Sequence, residues 1–558
     1  MTAPASLPAS APTPLERRSA DLARLVDTTW DVLIVGGGVV GAGALLDAAS
    51  RGLSAALIEQ DDIAAGTSSR SSRLIHGGLR YLEQIHLPLV REALAERRRL
   101  LRNAPHLVSL EPQLFPVYGI PFLHKAFYDA GLTLYDVLGA RHDGGWHQRL
   151  DVAGALAIWP SLKRRGLRGG LLYHDGVEDD ARFTLAVLRT ALASESRPIA
   201  VTRVRATGLA TEAGGDPLRT VRATDPVGGG ELEIRTRSVV DATGVWAAEP
   251  GHPFASPSMR LLPSRGAHLV VPRERIPAGT GLTIRVPGKV VFFIPWPDHW
   301  LIGTTDAPYD GPPDRVAASA AEVDELLATV NASLDVDLTR SDVVGTYAGL
   351  RPLIAPSRGS TVKASREHRI TAEADGVVRV AGGKYTTYRV MARDVIDAVL
   401  GRDVARKRPS ATAEMRLIGA ADAAARERIA TDIGSIGELT RAHRDAAIRL
   451  AQRHGTEAPA VAKLGEELGL LGPLVPGRPF LEAEVAWAVR HELALSVDDV
   501  LSRRLRLSPE LGDGRVAVAS RAAEIMSREL GWDQVDCERQ RDIYVGSASH
   551  EYAVPDTV

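Results

Sequence analysis

Three glycines, Gly36, Gly38 and Gly41, follow the apolar run Asp31–Val35 (DVLIV) in the spacing G-x-G-x-x-G. The first permits a tight turn, the second lets a pyrophosphate approach the backbone, and the third allows a helix to pack closely on the strand with its positive N-terminus towards the phosphates. Glu59 ends a second apolar run, AALIE, where an acidic side chain accepts hydrogen bonds from a ribose. Strand, glycines, helix to Arg51, second strand and terminal acid together predict a βαβ unit that binds a dinucleotide, without deciding which one.

A second cluster follows at once. Thr67, Ser68, Ser69, Ser71 and Ser72 bring hydroxyls and main-chain amides beside the glycine turn, which is what a pyrophosphate needs. His76, Gly77, Arg80 and Tyr81 then place a cation and two hydrogen-bonding rings on a Gly-Gly backbone. An arbitrary His or Arg is more often a satisfied core residue or a solvated charge, so these side chains need a context before they carry chemistry.

Two later junctions repeat the strand-to-glycine grammar: Ser238–Val240 runs into Asp241, Ala242, Thr243 and Gly244, and Val377–Ala381 runs into Gly382, Gly383 and Lys384. Long insertions between such junctions predict one discontinuous α/β domain whose parallel sheet is completed by distant segments. Leu262–Asp306 alternates apolar and polar residues between Pro and Gly breaks and reads as an antiparallel sheet. From Arg416 the spacing turns helical, with amphipathic stretches at 423–433, 441–454, 482–506 and 516–532. The expected division is a tail at 1–29, a nucleotide-binding domain from 30–84, 166–255 and 345–405, a substrate domain from 85–165 and 256–344, a helical domain at 410–540, and a tail at 541–558.

With 558 residues the chain is too long for one core, and its composition is that of an ordinary globular protein. A net charge of −2 leaves no global field for nucleic acid, so attraction to anions must come from local Arg and Lys clusters. The single cysteine, Cys537, excludes an intramolecular disulfide and a multi-thiolate metal site, and fits a cytoplasmic setting. Residues 1–29 are rich in Ala, Pro and Ser without the apolar core of a signal peptide, and a disordered tail is expected there.

The segment Gly66–Glu83, GTSSRSSRLIHGGLRYLE, together with GGGVVGAG, closely resembles the FAD-dependent glycerol-3-phosphate dehydrogenases. The resemblance continues through DATGVWA (241–247), RGAHLVVPR (265–273), IPWPDHWLIGTTD (294–306), GTYAGLRPL (345–353), AGGKYTTYR (381–389) and VRHELALSVDDVLSRR (489–504). It implies FAD in a Rossmann-like domain, contacted by the residues matching Gly36, Gly38, Gly41, Glu59, Thr67, Ser68, Ser69, Ser72, Gly77, Gly244, Gly383 and Thr386. It further implies that His76, Arg80, Tyr81, Arg351, Arg366 and Lys384 line a substrate pocket, and that His268 lies near the reactive face of the flavin. A phosphate monoester is a dianion suited to several converging cations. The reaction implied is oxidation of glycerol 3-phosphate to dihydroxyacetone phosphate by hydride transfer from C2 to flavin N5. His76, His268 and Arg351 all stand open for handling the hydroxyl proton or alkoxide. A helix dipole at Gly382–Thr386 would favour the reduced flavin.

The expected acceptor is a quinone. The rivals are an oxidase using oxygen, which in some relatives carries an extra inserted segment, an amine or amino-acid oxidase of the same superfamily, and a catalytically silent flavoprotein. Arg97–Arg99 and Arg102 lie on an amphipathic segment beginning near Pro88, so peripheral contact with anionic lipid at the inner membrane's cytoplasmic face is a further expectation. The C-terminal helices carry no assignable site and could serve assembly, including a homodimer.

Overall fold

The strand Trp30–Val35 lies between Ala55–Glu59 and Gly230–Asp241, parallel to both, as the central strand of a doubly wound sheet requires. The structure is a computed structural model and describes residues 12–77, 87–119, 133, 146–211, 218–286, 289–355, 368–436 and 444–556. Val377–Ala381 extends this sheet beyond Gly230–Asp241, and Ile199–Thr202 extends it beyond Ala55–Glu59, all in parallel. Arg369–Ala372 and the pair Arg205–Thr211 and Arg219–Asp225 complete eight strands among the described residues.

Period-two alternation sorts the central strand onto two faces. Val32 and Ile34 join a core with the helices Val39–Ser50, Asp180–Leu192 and Tyr388–Leu400, while Leu33 and Val35 pack on the other side with Val221, Ile234 and Phe254. Leu25 belongs to that second core, and it comes from the helix Pro14–Asp27. The expected tail over 1–29 is therefore corrected from residue 12 onward, residues 1–11 lying outside the described residues: Thr13 and Glu16 form a reciprocal cap with Pro14 at the first helical position, and Arg18 pairs with Asp225 at 2.8 Å.

A second sheet of ten strands among the described residues is antiparallel except where Val108–Tyr118 meets Gly281–Val286. Leu261–Pro272 pairs along its length with Gly345–Ile354 and with His299–Gly303, and Lys289–Trp296 joins the far edge of His299–Gly303. Two expected segment boundaries differ from this pairing. Leu167–Glu178 and Gly345–Ile354 fall in stretches assigned from sequence to the nucleotide-binding domain, yet both hydrogen-bond within the second sheet. Neither carries the strand-to-glycine ending of Trp30–Val35, Gly230–Asp241 and Val377–Ala381.

Alternation also explains how the C-terminal helices attach. Leu269, Val271, Phe293, Trp300 and Ile302 face a core with the helix Ala320–Ser333, whereas Val270, Ile294, Leu301 and Tyr347 join the core of the C-terminal helices. The stretch 482–506, read from spacing as one helix, is two elements. The helix Ala483–His491 stops before Leu493, which adopts φ 60°, and a π-helical turn spans Asp499–Arg504. The expected tail at 541–558 is also corrected: the helix Gln534–Tyr552 buries Tyr544, Ala548 and Tyr552, one stripe at i, i+4 and i+8.

The helix Leu87–Asn103 divides its basic run between core and solvent: Arg98 and Arg102 are exposed. Arg97 is buried and pairs with Asp175 at 2.8 Å, and Arg99 pairs with the buried Glu96 that also receives both arms of Arg389. Among the described residues no helix is long and apolar enough to cross a membrane.

Candidate active site

The carboxyl ends of the central strands open into a cleft of about 1150 Å³, above the roughly 300–1,000 Å³ of ordinary small-ligand sites. Gly36 sits at φ 112°, and a Cβ there would lie 2.6 Å from the Ala242 carbonyl oxygen, so two strand ends meet only because this residue is glycine. Gly41 stays off the cleft wall: a Cβ would lie 1.9 Å from the Gly36 carbonyl oxygen, which makes it the helix-to-strand packing position. Gly38 precedes the helix Val39–Ser50, and Ser68 Oγ accepts from the Val39 amide at 2.9 Å. Glu59 accepts from the amides of Gly37 at 2.6 Å and Asp61 at 2.8 Å. Desolvation pushes its carboxyl up to about 7, against the Gly37 hydrogen bond, while Asp62 adds to the rise and Arg203 and Arg503 oppose it.

The serine loop forms one wall. Thr67 Oγ1 donates to the Leu350 carbonyl at 2.6 Å, and Ser71 donates through both its amide and its hydroxyl to Asp180, at 3.0 and 2.8 Å. Thr67, Ser68 and Ser72 line the cleft; Ser69 is buried behind it, and Gly77 is buried outside the lining. Gly244, Gly383 and Thr386 lie on the opposite wall, with Gly382 and Gly383 both at positive φ just before the turn that starts the helix Tyr388–Leu400. The cleft therefore offers a carboxyl at a strand end, a bare helix N-terminus, a hydroxyl-rich loop and a glycine pair. That donor set fits a dinucleotide as long as FAD.

His76, His268, Arg351 and Lys384 all line this cleft, as do Phe292 and Thr304. Arg351 donates to Thr304 Oγ1 at 2.9 Å, to the Thr305 carbonyl at 3.1 Å and to Asp306 at 3.2 Å, which fixes its guanidinium along the cleft wall. His268 is 2 % exposed, stacks on Tyr347 with centroids 4.6 Å apart, and shares a 2.8 Å hydrogen bond with Ser72. Burial, with Arg351 and Arg73 adding, pushes its imidazole down to about 3. Arg80, Tyr81 and Arg366 lie outside the described residues.

Sequence reasoning missed several neighbours. Arg73 is 1 % exposed, with its guanidinium 3.5 Å over the Trp296 ring, and burial lowers its pKa. Tyr385, Arg503, Ser547 and Glu551 also line the cleft, the last pairing with Arg70 at 2.8 Å. Arg73 lay within the quoted serine motif, and only its burial marks it; Ser547 and Glu551 sat in what looked like a tail.

Comparison with known proteins agrees with this geometry. The family model described as FAD dependent oxidoreductase matches residues 31–397, and that described as the C-terminal domain of alpha-glycerophosphate oxidase matches residues 410–537. The chain is 42% identical over 557 residues to the glycerol-3-phosphate dehydrogenase of Mycobacterium leprae, covering 99% of this chain and 94% of that protein. It is 34% identical over 548 residues to the mitochondrial glycerol-3-phosphate dehydrogenase of Homo sapiens, covering 94% of this chain and 74% of that protein. The crystal structure of the glycerol-3-phosphate dehydrogenase from Bacillus halodurans complexed with FAD superposes with a TM-score of 0.78 at 25% identity, covering 98% of this chain and 99% of that one. The chain belongs to the FAD-dependent glycerol-3-phosphate dehydrogenase family.

Proposed function

We propose that this protein oxidises sn-glycerol 3-phosphate to dihydroxyacetone phosphate with FAD and passes the electrons to a quinone. The observation that carries the reading is one continuous cleft lined both by Glu59 and the glycine turn and by Arg351, Lys384, His76 and His268. Gly36, Gly38, Glu59, Thr67, Ser68, Ser72, Gly244, Gly383 and Thr386 would hold the cofactor, Gly41 and Ser69 shape its walls from behind, and Gly77 sets the backbone after His76. Bound FAD supplies a hydride acceptor for the C2 hydrogen of the substrate.

The other tasks fall to side chains. Arg351 and Lys384, joined by Arg80, Tyr81 and Arg366, bind the phosphate dianion and the developing alkoxide. His268 stays neutral near pH 7 and holds its hydrogen-bond partner without charging. A base held near 3 is a weak acceptor, and Arg351 does not titrate, so His76 is assigned the hydroxyl proton at its ring nitrogen. In this division of labour the strands of the first sheet carry the cofactor and those of the second, with the strand Gly345–Ile354, carry the substrate.

A quinone is lipid-soluble, so this acceptor puts the protein at a membrane surface as a peripheral partner. Turnover of glycerol 3-phosphate with a short-chain quinone, without stoichiometric peroxide, supports the dehydrogenase. Equivalent oxygen uptake with stoichiometric peroxide and no quinone effect would make it an oxidase.

A further inference from the structure

Arg503, Arg504 and Arg506 belong to the C-terminal helical region, yet all three end on loops of the cofactor cleft. Arg504 grips both oxygens of Asp62, at 2.7 and 2.8 Å, and Arg503 Nε adds a third contact at 2.5 Å. Asp62 is fully buried, three positions after Glu59 and next to Asp61, whose amide holds the Glu59 carboxyl. Asp499 receives Arg503 at 2.7 Å and Arg203 at 2.6 Å, and Arg203 in turn ties its amide to the Asp61 carbonyl at 3.1 Å. Arg506 donates to the Ser69 carbonyl at 2.7 Å and to Asp180 at 2.8 Å, the carboxylate that fixes Ser71.

These contacts reach both cofactor-facing loops from behind, and Arg503 also reaches the cleft wall. The π-helical turn is what places them: its wider winding, closed by the Leu505 amide on the Val500 carbonyl at 2.8 Å, brings three arginines of a four-residue stretch onto the carboxylates of Asp62 and Asp180. A buried carboxylate gripped by two guanidiniums has little freedom, because removing one partner strands a charge in a low dielectric.

We infer that the C-terminal helical region completes the cofactor site, with Arg503, Arg504 and Arg506 as positioning residues for the loops Glu59–Asp62 and Thr67–Ser72. This rests on the reading that the cleft holds FAD. Coupling between two such sites is reciprocal, so FAD binding and docking of the turn at 499–506 stabilise one another.

The test uses the full chain. FAD dissociation constants are measured for the wild type, Arg504→Lys, Arg506→Lys and Arg189→Gln; the last breaks an ion pair to Glu457, at 2.6 Å, that joins the same two regions outside the cleft lining. In parallel, amide exchange over 495–507 is followed in the apoprotein and with FAD. FAD affinity at least tenfold weaker in the two lysine variants but not in Arg189→Gln, with exchange over 495–507 slowed by FAD, is the expected result. Equal weakening in all three, or unchanged affinity in the lysine variants, would overturn the inference. If a lysine variant does not fold, wild-type exchange decides: no change over 495–507 on adding FAD overturns it. A wild-type chain that binds no FAD would overturn the cofactor reading itself, and this inference with it.

Discussion

Ser72 Oγ and His268 Nε2 lie 2.8 Å apart although 196 positions separate them in sequence. The hydrogen bond joins the serine loop of the first sheet to the strand Leu261–Pro272 of the second, at the end of the cleft where the substrate cations gather. Ser72→Ala removes it and leaves a buried imidazole nitrogen unsatisfied. One such bond is worth about 1 kcal/mol, so kcat/KM is expected to fall roughly 3- to 10-fold. Steady-state kinetics normalised to bound flavin checks this.

The two histidines separate in their pH behaviour. With His76 taking the proton, kcat for the wild type rises with pH through an acid limb, and His76→Asn removes that limb while lowering kcat by roughly 10²- to 10⁴-fold. His268→Gln lowers activity but keeps the limb. A limb lost in His268→Gln and kept in His76→Asn would reverse the assignment.

Stability should follow pH in a defined window. His268 and His106 are both pushed by burial down to about 3, from an ordinary value of 6.5. Between those values the unfolded chain binds more protons than the folded one, so stability drops as pH falls through the window. Urea midpoints at pH 7 and pH 5 are expected to differ less for His106→Gln than for the wild type.

Backbone requirements give a sharper contrast. Gly36→Ala places a methyl group 2.6 Å from a carbonyl at φ 112°, and Gly383→Ala places one 2.4 Å from the Met391 sulfur at φ 80°. Gly52, at φ 72° and outside the cleft lining, has open space around the same position. Gly36→Ala is expected to purify without flavin, whereas Gly52→Ala pays about 1–2 kcal/mol of left-handed strain and keeps it. Visible absorbance per mole of protein is the measurement.

Arg351 tests the phosphate assignment. Its guanidinium is held by Thr304, Thr305 and Asp306, a geometry a lysine ammonium cannot reproduce. Arg351→Lys is expected to raise KM for glycerol 3-phosphate at least tenfold and to weaken inhibition by inorganic phosphate in parallel.

What sequence made legible follows from where each signal lives. Gly36, Gly38 and Gly41 are local: their spacing is the turn itself, and the structure gives each the geometry its position demands. The convergence of His76, His268, Arg351 and Lys384 is non-local, and ordered family motifs pointed to those residues where spacing could not. The two misread termini were judged on composition, which concealed a capping pair at Thr13 and Glu16 and a buried stripe at Tyr544, Ala548 and Tyr552. The break after His491 was invisible to helical periodicity because the π-helical turn keeps its residues buried and amphipathic spacing continues across Leu493.

The most direct measurement is the visible spectrum of the purified protein, recorded without oxygen before and after adding glycerol 3-phosphate. The account predicts an oxidised flavin spectrum that bleaches on addition and recovers with a quinone. A protein without flavin, or a flavin spectrum unchanged by glycerol 3-phosphate, would contradict it.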